Sequence, residues 1–404
     1  MQFAAALSQS ADTAEAAEEL SASLRRQLPG EIDLLAIFLS ADHRDDAGLL
    51  AARLLRDLSP RILIGCTCEG VIGGDREIER ESAVSALAGR MPGVSMTPFH
   101  IGLDDWETLL AEDGDGQLSR RVGLDSEAEP TQVFLLLGDP FTTPLAELME
   151  ALEELAPGIP SVGGLASGGH AGENVLLLDG DLKEDGLVGI RFGGAVRIET
   201  VVSQGCRPIG DTLLVTQAAG NMIGTLGGRP ALEVARDILN ALPPEEQELA
   251  QNGLYLGVVV NEYQPTFERG DFLVRNVLGA DMESGALAVG ETVRAGQTVQ
   301  FQVRDKSTAD EDLRMLMAKA GKDEVAPTGG LLFSCNGRGV RLFDLPNHDV
   351  RGVLEAVPET PIAGFFAAGE IGPVGGKNFL HGHTASLLLF REQDNGPWPG
   401  PNVL

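Results

Sequence analysis

The chain has 404 residues, room for two or three domains, with 43% hydrophobic and 22% charged residues, ordinary values for a globular protein with sizeable cores. Thirty Lys and Arg stand against 60 Asp and Glu, a net charge of −30. That balance excludes nucleic-acid binding, which relies on basic patches to displace phosphate counterions, and disfavours an anionic membrane surface.

No apolar run nears the roughly 18 residues that span a bilayer. The N-terminus, MQFAAALSQSADTAEAAEEL, lacks a basic n-region and soon turns acidic, so no secretory signal is expected. Four cysteines, Cys66, Cys68, Cys206 and Cys335, are too few to staple a chain of this length. Reduced thiols and a cytoplasmic home are expected.

An internal repeat organises the chain. Residues 33–39 (DLLAIFL) form an apolar run typical of a strand buried on both faces. A helix-period segment (46–60) follows, then a strand reaching Gly65 in ILIGCTCEG. The same order recurs from Thr131, with a strand reaching Gly163 in IPSVGGLAS, and again near Leu331, with a strand reaching Gly364 in PIAGFFAAGEIG. Each copy adds a Gly-rich loop and a further apolar strand: ESAVSALAG, DGLVGIRFG and HTASLLLF. Each therefore reads β-α-β-loop-β, the pattern of a duplicated unit.

Between the second and third copies, residues 195–217 read as strands with a tight turn. Residues 230–251 read as a helix opened by Pro230 and ending against Pro243-Pro244. Short strands then suggest an antiparallel sheet. A helix over 308–321 follows, with Gly321 as its C′ residue. The boundary is placed near residue 220: an N-terminal extension over 1–29, one domain over 30–220, a second over 221–392, and a tail over 393–404 docked through Trp398. The fold class is α/β, with mixed β-sheets flanked by helices and a layered α/β/β/α arrangement.

The Gly-rich loops at the carboxyl ends of parallel strands are the first candidate site, because α/β folds bind ligands there. None reads GxxxxGK[ST] or a dinucleotide fingerprint. Arg338, in the turn SCNGRG beside Cys335, can grip a carboxylate with its planar fork or pair with a structural acid. Glu370, between two glycines in GEIGP, can accept an ammonium or pair with Arg338. His381 and His383 share one face of a strand, as do Cys66 and Cys68, yet two ligands do not make a metal site. Histidines that organise a pocket are the better reading, and no cofactor or metal is expected. Lone cysteines are commonly inert core residues.

The strings IGCTCEGVIGG (64–74), PSVGGLASGG (160–169), VSQGCRPIGDTLLVTQAAGNMIGTLGGRPALEV (202–234), LLFSCNGRG (331–339) and AGFFAAGEIGPVGGKNFLHGHTASLLLF (363–390) carry a resemblance. Over residues 30–392 the chain resembles the FIST sensory proteins, with FIST N and FIST C halves. The resemblance implies a cytoplasmic signal-transduction domain that binds small ligands, with amino acids suggested, and a separately encoded signalling partner. The expected ligand-binding residues are Cys66, Thr67, Glu69, Gly163, Gly164, Ser167, Cys335, Arg338, Glu370, Asn378, His381 and Thr384, lining a polar pocket between the halves. The rival class is a cysteine- or metal-dependent enzyme acting on a small metabolite.

Overall fold

A computed structural model describes the chain except residues 126–128, 252, 268, 394–401 and 404, so the expected docking of Trp398 lies outside the described residues. It divides into two compact units: residues 1–203 with 313–404, and residues 204–312. Compactness thus divides the chain by insertion, whereas the boundary read near residue 220 divides it into sequential halves. Among the described residues no helix is long and apolar enough to cross a membrane.

The first unit holds the three repeats. Their core strands are Leu34–Ser40, Thr131–Gly138 and Gly329–Cys335. Each is followed by a helix (Ala47–Leu58, Leu145–Leu155, His348–Ala356) and a parallel strand (Ile62–Cys68, Ser161–Leu165, Ile362–Ala367). Gly65, Gly163 and Gly364 stand opposite Ile37, Leu136 and Leu332. A Cβ on these glycines would lie 2.2, 1.8 and 1.8 Å from the carbonyl oxygens of those partners. The three glycines read as equivalent in the sequence are equivalent in space, and for one reason: the neighbouring backbone occupies the place of a side chain.

The Gly-rich loop of each copy is a hairpin: Gly70–Gly73 with Arg76–Glu79, Leu176–Leu178 with Asp181–Lys183, and Glu370–Val374 with Lys377–His381. None of these hairpins joins its own sheet. The first pairs with the Ile362–Ala367 strand of the third repeat, the second with Ile62–Cys68 of the first, and the third with Ser161–Leu165 of the second. The exchange is cyclic.

A closing strand (Val84–Arg90, Leu187–Gly194, Thr384–Glu392) then returns antiparallel to the core strand of its own repeat. Beyond it lies a further strand in each sheet, Gln2–Ser8, Val94–Ile101 and Val196–Gln204, and the last also pairs in parallel with the short strand Asn402–Val403. The first 29 residues therefore supply a strand and the Thr13–Gln27 helix to the first repeat.

Side chains alternate across each sheet. One face of all three sheets meets in a shared core that includes Phe38, Ile64, Val133, Ile190, Phe333 and Phe365. The opposite face of each sheet is covered by its own helices. The mixed sheets flanked by helices are found as expected, but three sheets close on one core where the layered reading had two. Apolar runs of this kind are what strands buried on both faces require.

The second unit is a small antiparallel barrel. Strand Thr298–Arg304 pairs with both Leu213–Ala219 and Leu254–Val259 and so closes the sheet. The helix expected over 230–251 is two, Ala231–Ala241 and Pro244–Gln251, divided at Pro243-Pro244. In the chain this unit runs from the end of strand Val196–Gln204 into helix Lys306–Ala320, and so interrupts the segments that serve the third repeat. Gly321 is not in the left-handed region expected of a C′ residue. A Cβ there would lie 2.6 Å from Ala356 O, so close helix approach explains this glycine.

Candidate functional site

The core strand of the third repeat ends at Cys335 and turns sharply, with the Arg338 amide donating to Cys335 O at 2.8 Å. The turn carries Arg338 inward, and its side chain is fully buried. Asp349, in the first turn of helix His348–Ala356, is also fully buried and takes the guanidinium in a two-pronged bond, Nε to Oδ2 at 2.7 Å and Nη2 to Oδ1 at 2.8 Å. Ser334 Oγ donates to Asp349 Oδ2 at 2.6 Å, and His348 Nδ1 lies 2.9 Å from Oδ1. Arg338 rests over the Phe343 ring at 5.2 Å, and His348 stacks on the same ring. Burial by itself would raise Asp349, but the adjacent Arg338 charge and these hydrogen bonds hold it well below the usual carboxylate range.

The exchanged hairpin of the first repeat delivers more acid to this place. Glu77 donates its amide to Asn347 Oδ1 at 2.7 Å and accepts the Val350 amide at 2.8 Å, so its carboxyl caps the start of a helix from another repeat. Glu79 accepts the Val340 amide at 2.9 Å in the same manner. Ahead of the hairpin, Glu69 pairs with Arg341, whose Nη1 reaches Oε2 at 3.3 Å. The Glu69 amide bonds to Ser167 Oγ at 2.9 Å, and Ser167 donates in turn to Phe366 O, so all three repeats meet here.

Glu370 opens the third hairpin, opposite Gly164 on one side and His381 on the other. Thr384 gives its Oε2 two hydrogen bonds, from the amide at 3.1 Å and from Oγ1 at 2.8 Å. Burial pushes the Glu370 carboxyl up to about 8, against the opposing pull of Thr384, Cys335 and Arg338. Glu77 is likewise pushed up to about 8, by burial and then by the nearby Asp349 charge. Burial thus favours the protonated form of both carboxyls, beside an Asp349 that Arg338 holds ionised.

These shifts carry a pH signature. The unfolded chain releases the two protons near pH 4.5 and the folded chain near 8, so between those values the folded state holds more protons and stability falls as pH rises. Glu77→Gln should flatten that slope and gain relative to wild type at pH 8. Urea midpoints at pH 5 and pH 8 measure it; equal slopes for wild type and variant would show that Glu77 titrates as an ordinary carboxylate.

The structure thus brings together Glu69, Ser167, Cys335, Arg338, Glu370 and Thr384. Gly164 and His381 flank Glu370 as its partners on the neighbouring strands, and the remaining expected residues lie elsewhere. Thr67 Oγ1 accepts the Val175 amide at 2.9 Å and pins the second hairpin. Asn378 accepts from the Ser161 amide and donates to Ile159 O, both at 2.8 Å, and pins the third. His381 Nε2 lies 2.9 Å from Gly372 O. Gly163 packs on Leu136. Cys66 and Cys68 belong to the shared core, where burial pushes both thiols up and disfavours a nucleophilic thiolate. Among the described residues no three His, Cys, Asp or Glu side chains are grouped to hold a metal. A groove of about 680 Å³ opens at the amino ends of the strands, lined in part by Met1, Arg90, Thr328 and Glu359, at the opposite end from this cluster.

Sequence reasoning missed Glu77, Arg341, His348 and Asp349. Asp349 had a signal, an acid in the first turn of an expected helix. Glu77 and Glu79 had a weaker one, two acids on one face of a short strand.

The chain matches the FIST N domain over residues 33–229 and the FIST C domain over residues 231–373. It belongs to the FIST family. FIST domains are associated with sensory signal transduction. An uncharacterized protein of Mycobacterium tuberculosis (strain CDC 1551 / Oshkosh) is 43% identical over 393 residues, 96% of this chain and 100% of that protein. An uncharacterized protein of Mycobacterium bovis is 41% identical, covering 94% of this chain and 96% of its own length. An F-box/LRR-repeat protein of Arabidopsis thaliana is 31% identical over 182 residues, 39% of this chain and 33% of that protein. The charged cluster takes residues from both FIST-matched segments: Glu69, Glu77 and Ser167 from the N segment, Arg338, Asp349 and Glu370 from the C segment.

Proposed function

We propose that this protein is a small-ligand sensor of the cytoplasm that recognises an amino acid or a similar zwitterion and reports to a separate signalling protein. The observation that supports it is the break in threefold equivalence at the Arg338 cluster. The second hairpin is held by Thr67 and Asp179 and the third by Asn378 and the Glu370–Thr384 bonds, whereas the first is held among five charged side chains, Glu69, Glu77, Glu79, Arg341 and Asp349. Buried ionisable groups with displaced pKa values concentrate where proteins act on something.

Arg338 is occupied by Asp349, so it serves as the floor of the site. The half-exposed Arg341–Glu69 pair above it is the mouth. A zwitterion replaces that pair charge for charge, its carboxylate on Arg341 and its ammonium on Glu69. Doing so frees the entry of the first hairpin from the third repeat, which gives the ligand the differential affinity for two states that a sensor needs.

Calorimetry against a panel of amino acids and organic acids tests this. One member should bind, and Arg341→Ala should weaken it roughly 10–100-fold, the worth of a charged hydrogen-bonded contact. A panel without binders, or Arg341→Ala binding as wild type does, would overturn the reading.

A further inference from the structure

Three arginines are buried among the described residues: Arg191, Arg338 and Arg391. A buried guanidinium needs a counter-charge, because desolvation of the cation must be offset by a close anion. Arg338 has Asp349, and Arg391 has Glu199, with Nε to Oε2 at 2.8 Å. Arg191, only 4% exposed, has no carboxylate partner among the described residues. Its contacts are neutral: Thr131 Oγ1 at 3.1 Å, Thr97 Oγ1 at 3.4 Å and the Glu129 carbonyl at 3.4 Å. Its Nε has no hydrogen-bond partner.

The repeats show how unusual the position is. Ile37, Leu136 and Leu332 stand opposite Ala86, Gly189 and Leu387 on the closing strands. Two residues further along, the three repeats carry Ala88, Arg191 and Leu389. Ala88 and Leu389 are fully apolar core positions beneath their helices. The second repeat has put a cation where the others bury hydrocarbon.

Its surroundings are adapted to match. Ser95 Oγ and Gln132 Oε1, on the strands either side, are also buried without a partner. Gly193 stands opposite Ser95, where a Cβ would come within 2.7 Å of that hydroxyl. Gly123, with φ +77°, lies against the Nε edge, where a Cβ would sit 3.4 Å away. The Glu129 carboxyl is turned toward Gly194, and its Oε2 is itself without a partner.

We propose that Arg191 is the base of a second, independent ligand site that takes a small monocarboxylate. The Nε–Nη2 edge offers the planar fork that a carboxylate fits, with the Thr97 hydroxyl beside it. One negative charge neutralises the buried cation, whereas a phosphate dianion would leave a net buried charge.

Equilibrium dialysis of the full chain with labelled acetate, and thermal unfolding in sodium acetate against sodium chloride of equal ionic strength, test the site. Wild type should bind one acetate per chain saturably and melt a few degrees higher than in chloride. Arg191→Leu, which installs the residue of the third repeat, should fold and lose both effects. Arg341→Ala should keep both, which separates this site from the one proposed above, and Glu129→Gln should keep both as well. Absence of saturable acetate binding to wild type, a tighter response to inorganic phosphate than to acetate, or acetate binding that survives Arg191→Leu would each overturn the proposal. Should Arg191→Leu fail to fold, the dialysis on wild type and on Arg191→Lys decides: binding to wild type weakened severalfold by lysine supports the site, and equal binding refutes it.

Discussion

Arg338→Ala is expected to destabilise the protein by about 3–5 kcal/mol, the usual effect of removing one member of a buried ion pair. The loss does not come from the pair's attraction alone. Asp349 is fully buried and ionised by virtue of the guanidinium, and without it the carboxylate must either stay charged in a poor solvent or take up a proton. The variant also forfeits the contact of Arg338 with the Phe343 ring. Removing both partners in favour of apolar side chains, as in Arg338→Met with Asp349→Leu, should recover most of the loss, because nothing charged is then stranded. Urea unfolding followed by circular dichroism compares the three chains. A single variant within about 1 kcal/mol of wild type would mean that the cluster is already solvated.

Gly364→Ala is expected to cost about 3 kcal/mol, the upper end of what overpacking a core usually does, or to prevent folding. The added methyl would lie 1.8 Å from Leu332 O, a backbone atom held in place by the parallel pairing of Gly330–Cys335 with Ile362–Ala367. Relief requires the two central strands of the third sheet to part, and both lie in the shared core through Leu331, Phe333, Ala363 and Phe365. Ala at Gly376, a turn glycine with φ +80° and no neighbour within 4 Å, is the control, with only backbone strain to bear. Equal melting temperatures for Gly364→Ala and wild type would contradict the packing described for all three glycines.

The repeat was legible because it rests on local signals: apolar runs of strand length, helix periodicity between them, and a glycine in each second strand. What the hairpins do was not legible. Periodicity marks a strand but carries no information on which sheet it joins, and each hairpin pairs outside its own repeat. That is why Glu77 went unremarked. Its partner Val350 lies 273 residues away, brought near only by the exchange. Arg338 and Glu370 were visible as charges at strand ends, and the structure sets them in one cluster. Asn378 was visible as a polar side chain at a strand end, yet an amide there can equally pin two segments, and here it does.

The cyclic exchange of hairpins has a consequence for how the molecule can come apart. Each repeat lends a pair of strands to one neighbour and borrows a pair from the other, so no repeat has a complete sheet by itself. The N-terminal amine, paired with Glu392 in the closing strand of the third repeat, brings the two ends of the ring together. A backbone nick in one connecting segment therefore leaves the pieces clasped, each gripping the next through main-chain hydrogen bonds. To release any one repeat, two grips must open at once. The ring behaves as a knotless chain link whose resistance to dissociation is a matter of rate, set by the simultaneous loss of two strand pairings.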